Sequence, residues 1–224
     1  MQLIIGNRNY SSWSLRPWIA MKVLGIPFEE ILIPFGTPLG NPAFRQRLAA
    51  YTPAGLVPVL IDGDVHVWET LAIMEYLAEK FPERGLWPAE KKARAEARAI
   101  SSEMHAGFSA LRSECPMNLR RPIRERALSE AARANVARVE EMWGDCRARY
   151  GGPFLFGAFS AADAMYAPMV ARLNTYGVKV GAAARDYMET MMALPAWAER
   201  QAEALRETWI VPEDEADWPT VLTA

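Results

Sequence analysis

Cysteine and histidine are scarce, with two of each in 224 residues. Cys115 and Cys146 lie far apart and make no CxxC pair, which excludes a disulfide framework, argues against a zinc site and fits a reducing compartment. Neither sign of charge dominates: 25 Lys and Arg against 27 Asp and Glu give a formal net charge of -2. No global basic field is present to recruit nucleic acid or an anionic membrane. No apolar run reaches the length of a membrane span. The stretch Met1 to Asn7 has no basic n-region and is too short for a leader's apolar core, so a cytoplasmic location is expected. Internal repeats are also missing. What is plentiful is apolar character, 51% of residues, enough for a packed core in one large domain or two small ones.

The first eighty residues alternate in character. Gln2 to Gly6 reads as a buried strand, and Trp13 to Leu24 as a helix that stops at Gly25. Phe28 to Ile33 is a second strand, parallel to the first because a helical crossover joins them. Thr37 to Thr52 is rich in Pro and Gly and predicts an irregular segment with a short helix. Val57 to Ile61 and Val65 to Trp68, separated by Asp62-Gly63-Asp64, form a hairpin signature. Glu69 to Phe81 is helical. Beyond Lys91 the strand signal vanishes. Ile100, Met104, Phe108 and Leu111 make one apolar stripe; Leu128, Ala132, Val136, Val139, Trp143, Cys146 and Tyr150 make another. Arg120, Arg121, Arg124 and Arg126 fit a solvated face. Ser160-Ala161-Ala162-Asp163 opens a helix with a capping box, although Pro168 inside it should kink it or cost about 3 kcal/mol. Pro195 to Leu205 is a last helix. The tail from Val211 to Ala224 is acidic, with Trp218 as its candidate anchor. The halves divide near Pro82 to Pro88, giving residues 1–81 and 89–224.

Three short motifs combine residue types suited to chemistry, and each has a plainer reading. Pro58 at the start of a strand costs no ladder bond. A cis Val57-Pro58 bond would turn the Val57 backbone outward to pair with an extended peptide, but only about 5–6% of X-Pro bonds are cis. Glu69-Thr70, at a strand-to-helix junction, offers free N–H groups, a hydroxyl and a carboxylate that together suit an α-amino acid end; taken in isolation, an ordinary N-cap is the better explanation. In Asn9-Tyr10-Ser11-Ser12-Trp13-Ser14-Leu15-Arg16 the serines either cap the first helix or donate a hydroxyl to a thiolate. Lowering a thiol from its usual pKa near 8.5 to about 6.5 needs roughly 2.7 kcal/mol, the scale of one charge-assisted bond plus a helix dipole.

In order and spacing these motifs resemble those of the glutathione transferases over nearly the whole chain. Ser11-Ser12-Trp13-Ser14-Leu15-Arg16 is similar to the serine-type motif of the zeta and related classes. Leu56-Val57-Pro58 resembles the cis-proline motif, and Glu69-Thr70-Leu71-Ala72-Ile73 the motif that holds the γ-glutamyl end. Gly157 with the capping box resembles the family's helical domain. The resemblance implies an α/β thioredoxin-like N-terminal domain plus an all-α C-terminal domain, glutathione as co-substrate and a homodimer. It assigns thiolate stabilisation to Ser11 or Ser12, with Ser12 ahead because it lies closer to the helix and Tyr10 as a weaker candidate. It assigns glutathione binding to Trp13, Leu56, Val57, Pro58, Glu69 and Thr70. Two departures stand out: Leu56 lacks the polar head of many relatives, and Trp13 replaces the cysteine of zeta and beta relatives.

The expected chemistry is addition of the glutathione thiolate to a small electrophile, as in detoxification. Glutathione-dependent cis-trans isomerisation, of the maleylacetoacetate isomerase kind, and a non-catalytic binding protein are the alternatives. For the second substrate, Tyr10 and one helix carrying Met104, His105, Phe108 and Arg112 are the candidates. His105 and Arg112, seven residues apart, share a face there. No metal is expected.

Overall fold

The computed structural model describes residues 1–36 and 39–216. Four strands, β1 (Gln2–Ile5), β2 (Glu29–Leu32), β3 (Val59–Asp62) and β4 (Val65–Trp68), form one sheet in the order β2-β1-β3-β4. β1 and β2 run parallel, joined through helix α1 (Ser12–Val23), while β3 is antiparallel to β1 and to β4. The pleat sends alternate residues to opposite faces. Leu3, Ile5 and Leu60 enter the large core, which also takes Leu15, Trp18 and Ile19 of α1 and Ile73, Met74 and Leu77 of α3 (Thr70–Lys80). Ile4, Ile33 and Val59 face the other way and are covered by Phe44 and Leu48 of α2 (Pro42–Leu48).

The second half is helical: α4 (Lys91–Ala106), α5 (Ser109–Glu114), α6 (Glu130–Tyr150), α7 (Ala161–Thr175), α8 (Ala182–Met192) and α9 (Pro195–Arg206). Helix α7 is buried along nearly its whole length and packs on α1, α4 and α8. The large core therefore runs without interruption from the sheet into the helices. The Asp163 carboxylate closes the start of α7: it accepts from the Ser160 N–H at 2.8 Å and hydroxyl at 3.0 Å, from the Leu155 N–H at 3.0 Å and from the Tyr187 hydroxyl at 3.1 Å. Complete burial nevertheless raises its pKa from 3.8 to about 6, because these bonds offset only part of the desolvation.

Pro168 does not break α7. It leaves the Ala164 carbonyl without its helical donor, and the adjacent Met165 carbonyl accepts from the buried Arg16 Nε at 3.0 Å. Pro17 does the same in α1, freeing the Trp13 carbonyl, which the Thr70 hydroxyl faces at 3.5 Å. The two prolines thus lie where α1, α3 and α7 meet.

Three expectations are corrected and one helix is added. The stripe from Ile100 to Leu111 is not one helix. Gly107 ends α4 in extended conformation, where a Cβ would lie 2.8 Å from the Glu103 carbonyl, and Phe108 turns the chain at φ 61 before α5 begins. Leu128 precedes α6 instead of lying in it. The arginine run is not a solvated face throughout: Arg121 is buried, donates to the Thr175 carbonyl at 2.9 Å and covers the Tyr176 ring, while Arg120 donates to the Tyr10 hydroxyl at 2.7 Å. α8 has no counterpart among the sequence expectations, although Ala184, Tyr187, Met188 and Met191 form its buried face. Trp218, the expected anchor of the tail, lies outside the described residues.

Candidate functional site

Two cavities meet at the N-terminal end of α1. The first, about 110 Å³, is lined by Trp13, Leu56, Val57, Pro58, Trp68, Glu69 and Thr70 among others. The Val57-Pro58 bond is cis, as the combined motif pattern predicts and against the base rate for the tripeptide alone. Leu56 is 59% exposed and lines both cavities, an apolar side chain held at the mouth.

Glu69 closes the first cavity with an unusual backbone. Its φ of 71° and ψ of 138° lie where non-glycine residues rarely sit. No side chain caps α3, whose first N–H groups stand at the cavity wall beside Thr70. The Glu69 carboxylate lies 3.5 Å from His105 Nε2. The His105 ring meets Trp13 edge-on at 4.9 Å between centroids, and Arg16 and Arg112 lie over the same indole at 4.2 and 4.9 Å. Burial lowers the pKa of Arg16 first, and the neighbouring Arg112 and Arg172 charges lower it further. Two guanidiniums over one electron-rich ring make a cation–π cluster.

The second cavity, about 260 Å³, is lined by Tyr10, Ser11, Ser12, Phe35, Leu39 and Phe44, with Arg172 and Asp214 opposite. The two serines are not equivalent. Ser11 is the N-cap of α1: its Oγ accepts from the Ser14 N–H at 3.2 Å and donates to the Ser14 hydroxyl at 2.7 Å. Ser12, the first residue of α1, makes no side-chain hydrogen bond among the described residues, so its hydroxyl is free to donate into the cavity it lines. The Tyr10 hydroxyl donates to the Glu215 carboxylate and accepts from Arg120. Burial, reinforced by Glu215, pushes its pKa up to about 12, so this phenol holds its proton at neutral pH.

Of the residues expected to meet the second substrate, Tyr10 lines the cavity. Met104 and Phe108 are buried in the core, with Phe108 edge-on to Tyr166. His105 and Arg112 do not share one helix, because of the break at Gly107. They still converge, since Arg112 Nη1 donates to the His105 carbonyl at 3.4 Å and both reach Trp13. Phe35, Leu39, Phe44, Arg172 and Asp214 carry no local signal; the tertiary fold alone brings them to Ser12.

The geometry has counterparts among known proteins. Residues 10–80 match the glutathione S-transferase N-terminal domain and residues 126–199 the glutathione S-transferase C-terminal domain, together more than half of the chain. The chain belongs to the glutathione S-transferase family. The chain is 40% identical over 68 residues to a dichloromethane dehalogenase of Methylorubrum extorquens, a match covering 30% of this chain and 23% of that protein. It is 35% identical over 85 residues to a zeta class glutathione S-transferase of Euphorbia esula, covering 37% of this chain and 36% of that one. These matches span about a quarter to a third of those relatives' lengths. A solved glutathione transferase homologue from Burkholderia, with bound glutathione, covers 91% of this chain and 96% of its own at a TM-score of 0.67 and 23% identity, which shows the shared architecture. Among the described residues no helix is long and apolar enough to cross a membrane, and no cluster of His, Cys, Asp and Glu could hold a metal ion.

Proposed function

We propose that the protein binds glutathione in the first cavity, ionises its thiol at the start of α1 and adds the thiolate to a small electrophile held in the second. The free hydroxyl of Ser12, at the N-terminus of α1 in the wall of the second cavity and next to Trp13, which lines the first, is the observation that carries this reading. The uncapped start of α3 and the Thr70 hydroxyl suit the γ-glutamyl carboxylate, and Glu69 suits its ammonium. The Val57 backbone beside cis Pro58 pairs with the cysteinyl unit. Trp13 walls the site, supported by Arg16 and Arg112. The match to a zeta class transferase supports glutathione as co-substrate, and a further match to a probable maleylacetoacetate isomerase of Caenorhabditis elegans, 33% identical over 105 residues, keeps an isomerase reading in the same site. Leu56, apolar and exposed, favours weak glutathione binding, and Leu56→Lys should tighten it. Residues 1–81 and 89–224 act as the glutathione-binding and helical domains of a cytoplasmic homodimer.

The mechanism follows from charge. A thiolate forming beside Ser12 gains a charge-assisted bond and the positive end of α1, both stronger as charge develops. Ultraviolet titration of bound glutathione tests this. Ser12→Ala should raise the bound thiol's pKa and slow conjugation about ten- to a hundredfold at neutral pH, with most binding retained. Ser11→Ala should chiefly lower stability, by about 1 kcal/mol, through loss of the N-cap. A thiol pKa that moves only in Ser11→Ala would hand the role to Ser11; one that moves in neither would hand it to a backbone amide. If the wild type binds no glutathione at millimolar concentration, the non-catalytic reading replaces this one.

A further inference from the structure

The second cavity has apolar walls, and Arg172 and Asp214 are its charged lining residues. Arg172 comes from α7 and is 6% exposed. Its Nη1 donates to the carbonyls of Arg112, at 2.9 Å, and Cys115, which fix the side chain. Asp214 comes from the other end of the chain, in a one-turn 3-10 segment (Pro212–Asp214). Its neighbours anchor that segment on both sides. Glu213 accepts from the Leu39 N–H at 3.1 Å, and Glu215 accepts from Asn118 Nδ2 at 2.9 Å and from Tyr10. Asp214 itself makes no ion pair within 4.0 Å among the described residues, yet its charge and that of Arg172 act on each other. Burial lowers Arg172 to about 10 and raises Asp214 to about 6, and each charge opposes the other's shift.

A cation and an anion thus face one small cavity without neutralising each other by contact. The Arg112 charge acts on Arg172, and both act on Arg16, so three guanidiniums are grouped near one side of the cavity. Without Asp214 the cavity would attract any anion. With it, the guanidinium can donate to a neutral acceptor, while a carboxylate entering the cavity meets a second carboxylate in a low-dielectric space. Selection by a repulsive element is the cheaper route to discrimination when the attractive field is already present.

We propose that Asp214 is a selectivity residue that rejects anionic electrophiles. The preferred second substrate is then an uncharged, largely apolar molecule carrying a hydrogen-bond acceptor, such as a nitro group or carbonyl, for Arg172. This rests on the function proposed above, in which the second cavity holds the electrophile. In the reaction, the thiolate sulfur bonds to the electrophilic carbon, the leaving group departs with its bonding electron pair, and the thiol's proton has already passed to water.

The test compares chlorodinitrobenzene with chlorodinitrobenzoate, which share a leaving group and differ by a carboxylate. Asp214→Asn should shift the ratio of kcat/KM values toward the benzoate about tenfold, mainly through its KM, and leave chlorodinitrobenzene little changed. A structural defect would move both substrates alike. Binding of dinitrobenzoate and dinitrobenzene to the protein without glutathione, followed by calorimetry, is independent of catalysis. Asp214→Asn should tighten only the benzoate, and Arg172→Lys should weaken it. An unchanged preference in the binding pair overturns the role of Asp214 whether or not glutathione is used; selective tightening with no conjugation of either chloro compound supports it and overturns the transferase reading instead.

Discussion

Helices α7 and α3 begin in opposite ways. At α7 the chain satisfies itself: a buried carboxylate, two residues into the helix, takes four donors, and nothing is left for a ligand. At α3 no side chain caps the helix, and the residue in the cap position, Glu69, holds a backbone conformation that costs free energy. Helix α1 lies between these extremes, capped by Ser11 while the Ser12 hydroxyl stays free. The lesson is that the same sequence-level signal, a polar residue before a helical run, serves stability where the partners are internal. It serves binding where they are withheld.

The largest effect that sharpens this contrast is expected at the closed end. Asp163→Ala leaves the Leu155 and Ser160 N–H groups and the Tyr187 hydroxyl without their acceptor, and should cost at least about 3 kcal/mol in denaturant unfolding. A loss below about 1 kcal/mol would break the comparison. The same group carries a pH dependence whose sign follows from its raised pKa of about 6. The folded state holds the proton more tightly than the unfolded chain, so this contribution is complete below about pH 4 and lost as pH rises through about 6, roughly 3 kcal/mol in all. Unfolding free energies of Asp163→Asn should lack that slope.

At the open end, Thr70→Val should weaken glutathione ten- to a hundredfold in calorimetry, through one charge-assisted bond. Its stability should change by less than about 1 kcal/mol, because its internal contact to the Trp13 carbonyl is long at 3.5 Å. Equal glutathione affinity in the variant would show that α3 is not the binding end. The smallest effect is expected from Glu69→Gly. Relief of the positive φ should raise stability by about 1 kcal/mol while glutathione binding falls. A variant that loses stability would show that the Glu69 backbone is not strained.

Much of this was legible because periodicity reports burial. Leu3, Ile5 and Leu60 against Ile4, Ile33 and Val59 follow the two-residue pleat, so the sheet and its hairpin could be read directly. The helix break at Gly107 was hidden because Ile100, Met104, Phe108 and Leu111 are all buried whether or not the chain turns there, and a stripe records burial, not continuity. The face of α8 was present as Ala184, Tyr187, Met188 and Met191, but three of these four are Ala or Met, which mark a helix less sharply than Leu and Ile do.

The candidate site divides along the same line. The amino-acid sequence pointed to the fold family, to most residues around the first cavity and to the cis proline through the resemblance that its motifs carry together; each motif is a local run of neighbours, and taken alone each had a plainer reading. Which serine is free, how Tyr10 is occupied and why Arg172 faces Asp214 were decided only by the tertiary structure. Those outcomes depend on partners contributed by distant segments, Glu215 for Tyr10 and α7 with the C-terminal turn for the second cavity. A hydrogen bond or a charge pair has no period along the chain, so only the packed molecule can choose between one hydroxyl and its neighbour.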